Sequence, residues 1–357
     1  MSRSARWRSW LRWMGIPYEL AARGRLWCYK RGWCRTQRLP RPVISVGNLT
    51  VGGTGKTPIV IYVLQRLLAR GFRVAVLSRG YRRTSQAPQL LVSDGQQVLA
   101  RPEEAGDEPY LIARRCPGAI VAVGADRYSL GQWVLTRVPV DCFLLDDGFQ
   151  HVQLHRDVNL LLVDATDLSG LQAALPIGRL REPLSAAARA TAILITRAGC
   201  EQEANQVWHL LQQACGSLPS PLLVGFLAEE FRRVGQEESR PLPMFRGRTA
   251  VVFSGIGNAE SFHALISELG MTVAESLVFP DHVHYTAGMI KMIRARANAC
   301  GADLLVTTEK DADKVAPFLE PQDGCWAVRL RTEILKGEDR LEQLLRLDPP
   351  VKQAGHA

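Results

Sequence analysis

The residues best suited to chemistry fall in two clusters, and the first is a glycine-rich turn closing in Gly55-Lys56-Thr57. Glycine lets successive backbone N–H groups turn around phosphate oxygens, and a helix starting behind them adds partial positive charge. In such a loop the lysine reaches the terminal phosphates of a nucleotide and the hydroxyl residue ligates Mg²⁺, roles that fall here to Lys56 and Thr57. The predicted nucleotide-contacting stretch is Thr50, Val51, Gly52, Gly53, Thr54, Gly55, Lys56 and Thr57. The spacing G-x-x-x-x-G-K-[ST] asks for glycine at position 50, so Thr50 departs from it. The second cluster, Asp146-Asp147-Gly148-Phe149-Gln150-His151, closes a mostly apolar run over 140–145. A carboxylate at the end of such a strand is the usual metal-holding partner of a phosphate loop. Either Asp146 or Asp147 satisfies that requirement.

The elements around these residues follow from hydrophobic spacing. Val43, Ile44 and Val46 predict a strand before the loop. Ile59, Val60, Val63, Leu64, Leu67 and Leu68 recur at three and four residues, which predicts a helix after it, ended by Gly71. Strands are expected over 74–77, 119–123, 140–145, 158–163, 192–196 and 222–226. A proline-rich surface loop at 176–184 lies among them. Residues 227–247 read as irregular and predict a domain boundary. Beyond it the rhythm resumes, with strands near 249–253, 272–279, 304–307 and 326–330 and helices over 259–270 and 287–300. The fold class expected is α/β, with two mainly parallel sheets covered by helices. The division runs 1–41 for a basic leader, 42–235 for a P-loop unit, 236–348 for a smaller α/β unit and 349–357 for a disordered tail.

Charge is placed unevenly along the 357 residues. Residues 1–41 hold eleven Lys/Arg and one acid, Glu19, so they carry the whole net charge of +9 and leave the body slightly negative. Five of the eight tryptophans (7, 10, 13, 27 and 33) lie in the same leader. Trp7, Trp10, Leu11 and Met14 share one face of a predicted amphipathic helix, with Arg8 and Arg12 away from it. Docking on an anionic membrane surface accounts for both the aromatic and the basic residues. Packing on the body and nucleic-acid contact are the competing readings. No apolar run reaches the roughly 20 residues of a spanning helix, and arginines interrupt any signal-peptide core. Eight scattered cysteines without a C-x-x-C pair read as reduced thiols.

Beyond these physical readings the chain resembles the tetraacyldisaccharide 4′-kinase family, the lipid A 4′-kinases of Gram-negative bacteria. The resemblance rests on SVGNLTVGGTGKTP (45–58), LSRGYRR (77–83), EEAGDEPYLIA (103–113), ADRY (125–128), LLDDGFQH (144–151), LREPL (180–184), FSGIGN (253–258), FPDH (279–282) and TTEKDADK (307–314). It implies two α/β/α domains with the active site between them. It also implies an N-terminal helix on the cytoplasmic face of the inner membrane, in a peripheral and monomeric protein that binds no nucleic acid. The implied reaction carries the γ-phosphate of ATP to the 4′-hydroxyl of an acylated glucosamine disaccharide 1-phosphate, with Mg²⁺. Within the family pattern Asp126 corresponds to the catalytic aspartate and His282 to the histidine paired with it. Arg79 is expected on a nucleotide or acceptor phosphate, and Glu182 beside the metal with Thr57, Asp146 and Asp147.

Two other classes are weighed against this one. Gly52–Thr57 is similar to the loop of dimeric switch ATPases and GTPases, but Val51 stands where their signature lysine belongs, and no N-K-x-D guanine motif occurs. A nucleic-acid-binding ATPase would need a basic surface beyond the leader, which the near-neutral body lacks.

Overall fold

The computed structural model describes residues 20–21, 24–29 and 31–347. The amphipathic helix expected around Trp7–Met14 and the tail beyond 348 lie outside them. Residues 24–29 are helical, and the chain then enters the sheet.

Strand β1 (Val43–Asn48) is buried along its whole length, as its β-branched residues require of a central parallel strand. The phosphate loop follows, and then helix α1 (Lys56–Ala69). Ile59, Val60, Val63, Leu64 and Leu67 of α1 are buried, which is the face that their spacing sets. Strand β2 (Val74–Ser78) comes next, then the edge strand β3 (Gln89–Asp94), helices α2 (Pro102–Ala105) and α3 (Asp107–Arg115), and strand β4 (Ile120–Gly124). Helix α4 (Arg127–Leu135), strands β5 (Cys142–Asp146), β6 (Val158–Asp164) and β7 (Ala192–Thr196), and helix α5 (Glu201–Cys215) complete the first half. The long strand β8 (Leu222–Arg233) and the short β9 (Ser239–Pro241) lead onward. The second half runs β10 (Thr249–Ser254), α6 (Ala259–Glu268), β11 (Thr272–Val278), α7 (Ala287–Ala299), β12 (Leu304–Thr308), α8 (Glu309–Val315), β13 (Cys325–Lys336) and α9 (Glu338–Leu344).

The α/β class holds, but three details of the expected layout are corrected. Instead of two sheets there is one, ordered β11-β10-β12-β13-β8-β7-β6-β1-β5-β2-β4-β3, with β9 paired to β8. Hydrogen bonding stays continuous because β8 and β13 form a long antiparallel ribbon from Trp326↔Arg233 to Lys336↔Leu223. The segment read as irregular over 227–247 therefore begins and continues as strand, over 227–233 and 239–241. Its charges hid it: Glu230 pairs with Arg329 across the ribbon, and Arg233 with Glu238. The chain also does not stay in the second half. Leu341 and Leu345, in and just after α9, are buried in the core cluster built around α1, so the end of the 236–348 unit packs on the first half.

Parallel strands need crossovers, and each crossover returns the chain to the same end of the sheet before the next strand begins. The C-terminal ends of β1, β2, β4 and β5 therefore open toward one side, where α/β sheets hold their ligands. Two helices face each other across that opening. From α3, Asp107, Glu108, Arg114 and Arg115 form ion pairs with Lys314, Lys310, Asp313 and Glu309 of α8.

Candidate active site

The strand ends and the second half enclose a cleft of about 1840 Å³. Its walls include Val51 to Thr57, Arg79, Asp146, Asp147, Glu182 and His282, which gathers almost every residue singled out by sequence.

The phosphate loop is braced from below. Asn48, fully buried, donates from Nδ2 to the Thr50 carbonyl and to Thr54 Oγ1, both at 2.8 Å. Its Oδ1 accepts from Lys56 Nζ at 3.2 Å, and Lys56 lies 3.7 Å from Asp147 Oδ1. Gly55 takes φ +85° just before α1, and a Cβ there would stand 2.3 Å from Phe226. Thr50 is explained by its backbone: it bridges to Leu180 in antiparallel fashion and is not among the residues with positive φ, so nothing there demands glycine.

The Asp146-Asp147 pair sits beside this loop in two different environments. Ser78 Oγ donates to Asp146 Oδ2 at 2.8 Å. Burial and the adjacent Asp147 push the Asp146 carboxyl up to about 6. Asp147 holds φ +53° and accepts from Arg181 at 2.7 Å. Burial would raise it too, but Lys56 and Arg181 outweigh burial and hold it below the usual carboxylate value. Its Oδ1 is buried without a hydrogen bond. A hard cation suits this set, since it would neutralise two adjacent carboxylates and occupy an oxygen that lacks a donor. Among the described residues no group of three or more His, Cys, Asp or Glu could by itself hold an ion. Glu182 lines the cleft but accepts from Arg189, so its charge is matched inside the protein.

Arg79 is exposed in the cleft. Arg127 is buried, donates to the Ala125 carbonyl at 2.7 Å and leaves Nε without a partner.

The expected pairing of Asp126 with His282 is corrected. Asp126 is the N-cap of α4: its carboxylate accepts from the backbone of Tyr128 at 3.0 Å and Ser129 at 3.4 Å, and from Ser129 Oγ at 2.7 Å. It is exposed, and its carboxylate is taken up by its own helix. The partner of His282 is Asp107, with Nδ1 to Oδ2 at 3.1 Å. On the other ring nitrogen, Nε2 lies 3.3 Å from Lys310 Nζ. An ammonium only donates, so the Lys310 contact favours the tautomer in which Nε2 accepts and Nδ1 donates to Asp107. Lys310 is itself held by Glu108 at 2.8 Å and Asp281 at 3.1 Å. His282 adopts φ +60°, a left-handed conformation that bulky residues rarely hold without supporting contacts. Asp107, Glu108 and Lys310 were not assigned from sequence. The signal for the first two was a pair of acids directly after Gly106 at a helix start, and for Lys310 its place in TTEKDADK, both in stretches already matched to the family.

A phosphate loop joined to a strand-end carboxylate pair, facing in one cleft a histidine that a carboxylate holds, defines a P-loop phosphotransferase. The family model described as tetraacyldisaccharide-1-P 4′-kinase matches residues 7–348. A tetraacyldisaccharide 4′-kinase of Geobacter metallireducens is 42% identical over 323 residues, covering 90% of this chain and 93% of that protein. One from Geobacter sulfurreducens is 41% identical, covering 86% and 84%. The crystal structure of LpxK from Aquifex aeolicus in complex with ATP matches with a TM-score of 0.73 at 33% identity, over 95% of this chain and 98% of that one. The chain belongs to the tetraacyldisaccharide 4′-kinase family, the kinases of lipid A biosynthesis. The switch-ATPase reading is not favoured.

Proposed function

We propose that the cleft transfers the γ-phosphate of ATP to the 4′-hydroxyl of a tetraacylated glucosamine disaccharide 1-phosphate, giving lipid IVA and ADP. The observation that carries this reading is His282, held from behind by Asp107, facing a phosphate loop across a single cleft. Phosphoryl transfer asks mainly for positioning and charge neutralisation. Lys56 and the loop amides hold the β- and γ-phosphates, and Arg79 and Arg127 bring further positive charge to the same wall. Thr57 with Asp146 or Asp147 would hold Mg²⁺, which supplies charge neutralisation at the phosphates. Glu182 contributes from the cleft wall through its pair with Arg189. The 4′-hydroxyl gives its proton to the Asp107–His282 couple as its oxygen attacks phosphorus, and the bond to the ADP oxygen breaks.

Residues 42–235 and 236–348 serve as two domains in this reading, with the β8–β13 ribbon between them. The leader docks the enzyme on the cytoplasmic face of the inner membrane, where the acylated acceptor resides. Exposed Trp27 and Trp33, in edge contact at 4.8 Å, extend that apolar surface into the described region. Ala21 and Arg25 carry it to the cleft rim.

The test is transfer of label from γ-labelled ATP to the acylated disaccharide 1-phosphate in detergent micelles. Wild type labels the lipid, while Lys56→Ala and Asp107→Asn fall by roughly 10²–10⁴. Asp126→Ala keeps most activity and loses about 1 kcal/mol of stability, the usual cost of an N-cap. An inactive but folded Asp126→Ala beside an active Asp107→Asn would return the proton acceptor to Asp126.

A further inference from the structure

Lys314 has no part in the phosphate chemistry described above, yet its ammonium occupies the junction between the two halves of the protein. Nζ lies 3.2 Å from Asp107 Oδ2, the oxygen that also receives His282 Nδ1. It lies 2.9 Å from Asp311 Oδ1, on a carboxylate with no solvent exposure. The other oxygen of Asp311 accepts from the backbone N–H of Gly255 at 2.9 Å and from Thr308 Oγ1 at 2.8 Å. The Lys314 side chain is itself 9% exposed, and the Tyr285 ring lies 5.7 Å from Nζ. Asp311 is thus fixed by the backbone of the second half, Lys314 is ion-paired to Asp311, and Asp107 of the first half meets the second half through Lys314 and His282 on one oxygen.

We propose that Lys314 is a positioning residue for phosphoryl transfer. It holds Asp107 ionised and turned toward His282, and so assembles the proton-accepting couple when the two halves meet. The proposal rests on the Asp107–His282 reading of the reaction. The charge at Asp107 depends on everything that faces it. From α8 come Lys310 and Lys314 with Asp311 and Asp313. From the loop before α7 come Asp281, His282 and Tyr285, and from α3 itself comes Glu108. Burial works to protonate Asp107, and the His282 hydrogen bond and the two ammonium groups overcome it, leaving the carboxyl below its ordinary value. Lys310 already serves Glu108, Asp281 and His282 Nε2, so it cannot take over the Oδ2 contact. Without Lys314, burial gains weight and Asp107 titrates at higher pH.

The experiment compares wild type, Lys314→Met, Lys314→Arg and Asp107→Asn in the lipid-labelling assay across pH, with thermal unfolding of each. Lys314→Met is expected to lose roughly 10- to 100-fold in kcat with KM for ATP nearly unchanged, and its acidic limb in kcat/KM moves up by about one pH unit. Lys314→Arg restores the position of the limb. A merely structural lysine would lower the unfolding temperature and leave the limb of the surviving activity in place, which overturns the proposal. Where Lys314→Met fails to fold, Lys314→Gln carries the same comparison of limbs. An active Asp107→Asn removes the couple and this proposal with it. An inactive Asp107→Asn beside an unshifted Lys314→Met removes the Lys314 role alone.

Discussion

The carboxylates of Asp107 and Asp126 both begin helices, and their neighbours separate them. Asp126 satisfies two backbone N–H groups of its own helix and a hydroxyl three residues on, a local pattern that any exposed cap can make. Asp107 takes its partners from α8 and from the His282 loop, both far along the chain. His151 shows the same dependence on surroundings. Burial, and then repulsion from Arg127, push its imidazole down to about 4, and Nε2 has no hydrogen bond. Unfolded, the ring titrates near its ordinary value of about 6.5, so between those values the unfolded chain binds a proton that the folded one refuses. The stability tied to this lowered pKa is complete above about pH 6.5 and falls as pH drops toward 4. Denaturant titrations at pH 7 and about pH 5 should show wild type losing more stability than His151→Gln. Equal losses in the two proteins would mean that His151 is not held neutral.

At the scale of elements, α3 and α8 are joined by four ion pairs of unequal burial. Arg115 and Glu309 expose only 10% and 16% of their side chains, whereas Arg114 of the neighbouring pair exposes 44%. Without Arg115, Glu309 keeps only the Arg329 guanidinium, at 3.4 Å, and the Leu330 carbonyl loses a donor, so Arg115→Ala should destabilise by about 2–3 kcal/mol. Arg114→Ala should cost less, about 1 kcal/mol, because the guanidinium is partly in water although Asp313 exposes only 15% of its side chain. Chemical denaturation separates the two, and equal small effects would show that the α3–α8 contact does not hold the halves together. Charge also explains what the hydrophobic pattern missed. α1 and β1 were legible because a long apolar periodicity and a β-branched run each have one structural reading. The far half of β8 carries Glu229, Glu230, Arg232 and Arg233, and becomes strand because β13 offers hydrogen bonds along its length and opposite charges in register.

At the scale of the whole molecule, the basic and aromatic leader ends beside the cleft, and no helix among the described residues is long and apolar enough to cross a membrane. The proposed surface docking would draw on apolar area together with charge. Trp27→Ala with Trp33→Ala should weaken co-sedimentation with anionic vesicles several-fold and leave transfer to a detergent-dispersed acceptor nearly intact. Raising salt should weaken vesicle binding of the wild type further. Undiminished vesicle binding by the double variant would place the docking surface elsewhere.

By itself the sequence determined the α/β class, the phosphate loop with Lys56 and Thr57, the Asp146-Asp147 strand end and the charge asymmetry of the leader. Each is local: a few neighbouring residues fix the backbone conformation or the charge, and no distant contact is needed to read them. Only the tertiary structure decided that one sheet runs through both halves, that α9 returns to the first core, and that His282 meets Asp107 instead of Asp126. Those outcomes depend on which of several chemically equivalent partners arrives within about 3 Å, and a one-dimensional pattern carries no such distance. Two carboxylates of one type, each starting a helix, are the same in sequence. The crossover connections of a parallel sheet brought one of them to the histidine.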